Sequence, residues 1–238
     1  TISGNIGINT LIGGAGNDKF VATKGSDTYY GGILAATTHT VANGESNSVD
    51  YSNASKVYVD LSSTTTDANG NNYSQALKSN SSTNDGFSSN IESTDSLYGI
   101  ANIKGSSSFD TLIGNELSNT LESMAGDDIL EGKGGDDLLI GGDGDDTFIA
   151  TSYNDGKDTI VDSDGKGQVI INSCQIGLNT EKISETKYKE IIGKLNIEYE
   201  LKEDKDNKNK KDLIVKYGSG GQIKIKDFQY CVLYFQQN

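Results

Sequence analysis

Three consecutive nine-residue stretches, SMAGDDILE (123–131), GKGGDDLLI (132–140) and GGDGDDTFI (141–149), decide how this chain folds. Position six is aspartate in each (Asp128, Asp137, Asp146), and position eight is large and apolar (Leu130, Leu139, Phe148). The period extends back through GSSSFDTLI (105–113) and GNELSNTLE (114–122). It also opens the chain in GNIGINTLI (4–12), GGAGNDKFV (13–21) and ATKGSDTYY (22–30). In these units position six reads Asp110, Asn119, Asn9, Asp18 and Asp27, and position eight reads Leu112, Leu121, Leu11, Phe20 and Tyr29. A fixed short period of this kind marks a repeat architecture.

The chemistry of the unit gives its shape. Six residues rich in Gly, Asp and Asn form a turn, because these side chains tolerate positive φ and bond locally. The last three form a short strand whose middle residue points opposite to its neighbours. Leu, Phe or Tyr therefore faces inward, and the flanking residues face water. Two units turning in opposite senses close one coil of a flattened parallel solenoid. Each unit buries one large side chain, a gain of about 2–3 kcal/mol that is small against the entropy of ordering nine residues.

Charge opposes folding further. Units two apart share an edge, so Asp110, Asp128 and Asp146 stack, as do Asn119, Asp137 and Asp155. Strands in a sheet lie about 4.8 Å apart, where two carboxylates repel by about 3 kcal/mol at an effective dielectric near 20. A cation between them is needed. Calcium suits this setting, being hard, flexible in geometry and able to take carboxylates and backbone carbonyls together. Soft-metal clusters of Cys and His are absent from the sequence.

GGAGNDKFV and GGDGDDTFI resemble the nonapeptide GGxGxDxUx, with U bulky and apolar, of the repeats-in-toxin (RTX, hemolysin-type) family of toxins, lipases, proteases and adhesins. The resemblance implies an all-β, right-handed parallel β-roll with Ca²⁺ in both rows of turns and a C-terminal β cap. Its site pattern takes the second and fourth carbonyls plus the Asp of one turn, and the first and third carbonyls plus the Asp two units later. The best implied site joins Met124, Gly126 and Asp128 to Gly141, Asp143 and Asp146. Others join Lys133, Gly135 and Asp137 to Ala150, Ser152 and Asp155, and Ser106, Ser108 and Asp110 to Ser123, Ala125 and Asp128. Asn119 with Gly132, Gly134 and Asp137 forms a weaker site, because Asn is neutral. Asp18 and Asp27, with Asn9, are the implied ligands of the first block, and Asp158 serves a last ion. SMAG and GNELSN depart from the glycine pattern, which bears on local turn geometry but not on register.

Four segments are expected: repeats over 1–30, enlarged coils over 31–104, a second repeat block over 105–165 and a β-rich cap over 166–238. SVDYS, VYVDL and DSLYGIANIKGS read as further coils of the solenoid, or as a separate domain. The Ser/Thr/Asn-rich stretch 62–94 reads as a long external loop. KLNIEYEL, DLIVKYG, GQIKIKDF and CVLYF alternate as strands around a lysine-rich turn at 202–212, which is a solvated hairpin or a lipid or polyanion contact. Cys174 and Cys231 are buried thiols or a disulfide, and His39 reads as solvated.

Composition narrows the function classes. The chain has 238 residues and a net charge of −14, with the basic excess confined to the end: residues 182–238 hold 12 of its 20 lysines. An acidic bulk repels phosphate, which argues against nucleic-acid binding. No apolar run is long enough for a transmembrane helix. No HExxH or GxSxG occurs and there is one histidine, so no enzyme is expected here. The chain begins inside a repeat and is expected to be cut from a larger protein. The resemblance implies a secreted or cell-surface protein of a Gram-negative bacterium, a toxin or adhesin handled by type I secretion machinery. The alternative is a glycan- or host-surface-binding module in which Tyr29, Tyr30 and Tyr98 form a platform.

Overall fold

Two faces of short parallel strands alternate along the chain. The computed structural model describes residues 1–80, 91–150, 156–164, 166–171, 174–175, 181–184, 187–192, 195–203, 211–217 and 221–225. The first block supplies β1 (Ile2–Ser3), β2 (Thr10–Ile12), β3 (Lys19–Val21) and β4 (Thr28–Tyr30). A hairpin, β5 (Ile33–Ala35) and β6 (Thr38–Thr40), precedes β7 (Asn47–Asp50), β8 (Lys56–Thr66), β9 (Asn72–Ser79), β10 (Ile91–Tyr98) and β11 (Ile100–Lys104). The second block gives β12 (Thr111–Ile113), β13 (Thr120–Ala125), β14 (Ile129–Glu131), β15 (Leu138–Asp143), β16 (Thr147–Ala150) and β17 (Lys157–Val161). After these come β18 (Gln168–Ile171), β19 (Cys174–Gln175), β20 (Glu181–Ser184), β21 (Lys187–Ile192), β22 (Leu195–Glu203), β23 (Lys211–Tyr217) and β24 (Gly221–Ile225).

Among the described residues one face runs β1-β3-β7-β11-β13-β15-β17-β24-β23-β22-β21-β20, and the other β19-β18-β16-β14-β12-β8-β9-β10-β4-β2. Repeat strands on a face pair in parallel at a register of 18 residues, as in Leu121 with Leu139 and Leu112 with Leu130. The fold is thus an all-β parallel β-roll with a C-terminal β cap. Its core is the ladder of position-eight side chains that the period predicts. Phe20, Val49, Ile103, Leu121, Leu139 and Ile160 line one face, and Tyr29, Leu97, Val59, Leu112, Leu130 and Phe148 the other, all essentially buried.

The stretch read as a loop at 62–94 differs. β8 continues to Thr66, β9 covers Asn72–Ser79 and β10 begins at Ile91, while 81–90 lies outside the described residues. β9 runs antiparallel between β8 and β10. β8 pairs in parallel with β12, and β10 with β4, so the meander bridges the two blocks within one face. The reason for the misreading is which residues face inward: Ser74, Ala76 and Lys78 are buried, so the usual apolar signal of a strand is missing.

At the far end β24 pairs in parallel with β17 and antiparallel with β23, and a meander from β20 to β24 extends the first face. CVLYF, Cys231 and most of the lysine-rich turn lie outside the described residues, as does the Cys174 side chain. His39 is not solvated. It packs against the Tyr30 and Tyr98 rings, with centroids 5.4 and 5.7 Å away, and burial lowers its pKa. No helix among the described residues is long and apolar enough to cross a membrane.

Candidate calcium centres in the two rows of turns

Position-six residues are stacked by a hydrogen-bond ladder that the period alone does not announce. The Asp110 backbone N–H donates to Asp128 Oδ1 at 2.6 Å, and Asp128 N–H donates to Asp146 Oδ1 at 2.9 Å. In the opposite row Asn119 N–H donates to Asp137 Oδ1 at 2.7 Å, and Asp137 N–H to Asp158 Oδ1 at 3.1 Å. One carboxylate oxygen per coil thus closes the backbone of the coil before it. Where position one is glycine the carboxylate folds over it: a Cβ on Gly141 would overlap Asp146 Oδ2.

The other oxygen is what a cation needs. Oδ2 of Asp18, Asp128 and Asp146 is buried without a hydrogen-bond donor, a costly state for a carboxylate. Burial is the main reason that the metal-free carboxyls titrate high, Asp128 at about 8, Asp146 at about 7 and Asp110 at about 6; like charge on Asp110 and Asp146 adds to the rise at Asp128. Among the described residues no three Asp, Glu, His or Cys side chains converge, so an ion here takes carboxylate and carbonyl oxygens together. That donor set is hard and oxygen-only, and it fits calcium.

The expected ligands fall into three groups. Asp110, Asp128 and Asp146 stand in one row, with Ser106, Ser108, Ser123, Ala125, Gly126, Gly141 and Asp143 in the turns beside them. Ser106 also bonds Asp110 through its N–H and hydroxyl, at 2.5 and 2.9 Å, while Ser123 donates its hydroxyl to the Gly141 carbonyl at 2.8 Å. Met124 and Lys133 hold φ of 82° and 73° at position two, so SMAG keeps the turn that glycine would make, at some strain. Gly132, Gly134 and Gly135 belong to the Asn119–Asp137 row, whose continuation differs from expectation. Leu138 pairs with Thr159, 21 residues on, so three extra residues put Asp158 in the stack. Ala150 ends β16 instead of opening a turn, and Ser152 and Asp155 lie outside the described residues.

In the first block Asp18 N–H donates to Asn47 Oδ1, and Asp27 N–H to Asp95 Oδ1, both at 2.8 Å. Asn47 and Asp95 are stack members that the sequence reading missed. Their signals are the fragments Asn47-Ser48-Val49 and Asp95-Ser96-Leu97, which repeat positions six to eight without the glycine turn. Asp27 is occupied by the chain itself: Asn9 Nδ2 and Thr23 Oγ1 donate to it, and Tyr29 Oη donates at 3.1 Å. Burial would raise its pKa, but these bonds outweigh burial and leave it below the usual carboxylate value. Between the blocks position six is apolar, Val57 in one row and Ala101 in the other.

A clean test separates charge from ladder. Asp128→Asn keeps the acceptor for Asp110 N–H but removes the buried charge, and calcium affinity by calorimetry should fall at least tenfold. Asp143→Ala, which removes an exposed side chain and keeps the carbonyl, should stay within about twofold, a difference of more than about 1 kcal/mol. Equal losses would mean that position six is not the ligand position.

Comparison with known proteins agrees with the turns. The family model for the RTX calcium-binding nonapeptide repeat (four copies) matches residues 3–33, 113–148 and 122–156. No curated protein matches the sequence. Among solved structures the extracellular lipase LipA from Serratia marcescens is similar at 18% identity and a TM-score of 0.26, over 97% of this chain and 39% of the lipase chain. The chain thus spans well under half of that relative, and at such a TM-score the likeness bears on nothing further. The two stretches 3–33 and 113–156 are thus RTX calcium-binding nonapeptide repeats.

Proposed function

We propose that the chain is the calcium-triggered folding module of a larger exported bacterial protein of toxin or adhesin type. The carrying observation is the pair Asp128 and Asp146, stacked in one row and each with a buried carboxylate oxygen that no donor reaches. Where calcium is scarce, as in a bacterial cytosol, the chain stays extended and can thread a type I exporter of a Gram-negative cell. Outside, each filled site stabilises the roll by about 2.7 kcal/mol at a hundredfold excess of calcium over Kd. The module itself is read as non-enzymatic. A glycan platform finds little support, because Tyr29 and Tyr98 are buried at 0% and 5% exposure and Tyr98 stacks on Tyr30 at 4.3 Å.

Far-UV circular dichroism tests the reading. Calcium should convert the metal-stripped chain from largely unordered to β-rich, and magnesium should not, since it demands strict octahedral geometry and gives up water reluctantly. A full β spectrum in verified metal-free protein at neutral pH would overturn the proposal.

Acid should partly replace calcium. The folded-state pKa of Asp128 is about 8, against 3.8 for an ordinary aspartate, and those of Asp146 and Asp110 are also raised. The folded chain therefore binds more protons than the unfolded one, and metal-free stability falls as pH rises from about 4 through about 8. Metal-stripped protein should show more β signal at pH 5 than at pH 8.5, and the spectral gain on adding calcium should be larger at the higher pH.

A further inference from the structure

Lys78 lies on β9, is 3% exposed, and points its ammonium into the turn of the third repeat unit. Nζ donates to the carbonyls of Thr23 and Gly25 at 2.6 Å each, and to Asp95 Oδ1 at 2.8 Å. Thr23 and Gly25 are positions two and four of ATKGSDTYY, and Asp95 is the stack member that follows Asp27 in the same row. A positive nitrogen is thus held by two turn carbonyls and a position-six carboxylate, all oxygen donors and all drawn from neighbouring coils. One coil earlier the same two carbonyl positions, Asn5 and Gly7, accept from the Asn9 side-chain amide at 2.9 and 2.6 Å. Asp95 keeps its Oδ2 without a donor, as Asp128 and Asp146 do in the second block, but its Oδ1 faces the ammonium.

We propose that the Lys78 ammonium is a tethered substitute for a calcium ion, filling the cation seat of turn 22–27 so that the coils joining the two blocks close without metal. This rests on reading the turns as calcium sites. An ammonium is a compact point charge with three donors, enough to satisfy two carbonyls and one carboxylate oxygen. Its single charge balances Asp95, while Asp27 is satisfied by Asn9, Thr23 and Tyr29. The insertion that carries β9 between β8 and β10 is what brings Lys78 to this turn. Removing the ammonium would leave Asp95 Oδ2 and the two carbonyls open to a divalent ion, with Oδ1 still accepting from the Asp27 N–H.

The full chain, Lys78→Ala, and Lys78→Ala with Asp95→Asn are compared by equilibrium dialysis against calcium and by amide hydrogen exchange. Lys78→Ala should bind one more calcium per chain than wild type and fold at a higher calcium concentration; the double variant should return to the wild-type count. At the calcium concentration that half-folds the wild type, the amides of Asp27 and Ser96, which donate to Asp95 Oδ1 and to the Asp27 carbonyl, should be protected in the wild type and exchange faster in Lys78→Ala. If Lys78→Ala folds with the wild-type calcium count, the proposal fails. It fails equally if Lys78→Ala does not fold and neutralising Asp95 does not restore it, or if those amides exchange equally fast in the wild type and in Lys78→Ala at that calcium concentration. A wild-type chain that binds no calcium at all removes the reading of the turns as well.

Discussion

Replacing Gly142 with alanine should abolish calcium-induced folding altogether. Gly142 is position two of its unit, at φ 106°, and pairs in register with Met124 of the coil below. A Cβ there would overlap the Met124 carbonyl oxygen, and backbone atoms on both sides are fixed by strand pairing, so neither can move aside. The cost of pushing two paired strands apart exceeds the small net stability of a domain. Gly14 supplies the control. It is also position two, at φ 90°, but a Cβ there meets nothing within 4 Å, so Gly14→Ala should add only left-handed backbone strain, about 1–2 kcal/mol. Met124 and Lys133 already tolerate that conformation with full side chains. Calcium titrations followed by circular dichroism should show no transition for Gly142→Ala and a shifted but complete one for Gly14→Ala. Matching curves would mean that the coils do not approach as closely as the Met124–Gly142 pairing requires.

Deleting residues 167–238 should be almost as damaging. The deletion removes β18, which covers β16, and β24, which covers β17. Phe148 and Ile160, at 3% and 1% exposure, would then lie on an open end together with two rows of unpaired backbone groups. An uncovered coil of this kind loses apolar burial of about 2–3 kcal/mol for each large side chain, and its exposed strand edges invite association. Asp158 would also lose the β17–β24 pairing that seats it beneath Asp137. The truncated chain should fold poorly even in millimolar calcium and bind fewer ions than the full chain. Folding at the full-length calcium concentration with the full ion count would make the C-terminal region an independent domain.

Much of this was legible in the sequence, and the limits have physical causes. The period placed Asp110, Asp128 and Asp146 in one row and Leu112, Leu130 and Phe148 behind them, because a repeat of nine residues leaves one register open to a two-unit coil. Phase was lost where the repeat length changed. Three extra residues after Phe148 moved the stacking residue to Asp158, whereas a strict two-unit step from Asp137 lands on Asp155. β9 was hidden for a different reason. Strand recognition relies on apolar residues facing inward, and here the inward positions are Ser74, Ala76 and a lysine whose charge is matched only by residues 17 and more than 50 positions away. No local pattern encodes such a partner. The ladder through Oδ1 was equally invisible, since nothing in the sequence tells which carboxylate oxygen accepts from the backbone of the neighbouring coil.

Val57 and Ala101 break both rows of position-six side chains between the blocks. Along each row, neighbouring sites communicate through the residue they share, as Asp128 is shared by the sites on either side of it. A residue with no oxygen in its side chain transmits nothing. On the proposed calcium reading, coupling through shared carboxylates is confined to each block, while the unbroken strand pairing still ties the two blocks into one folding unit. The second block, with its longer unbroken run of carboxylates, should therefore fill more steeply with calcium than the first.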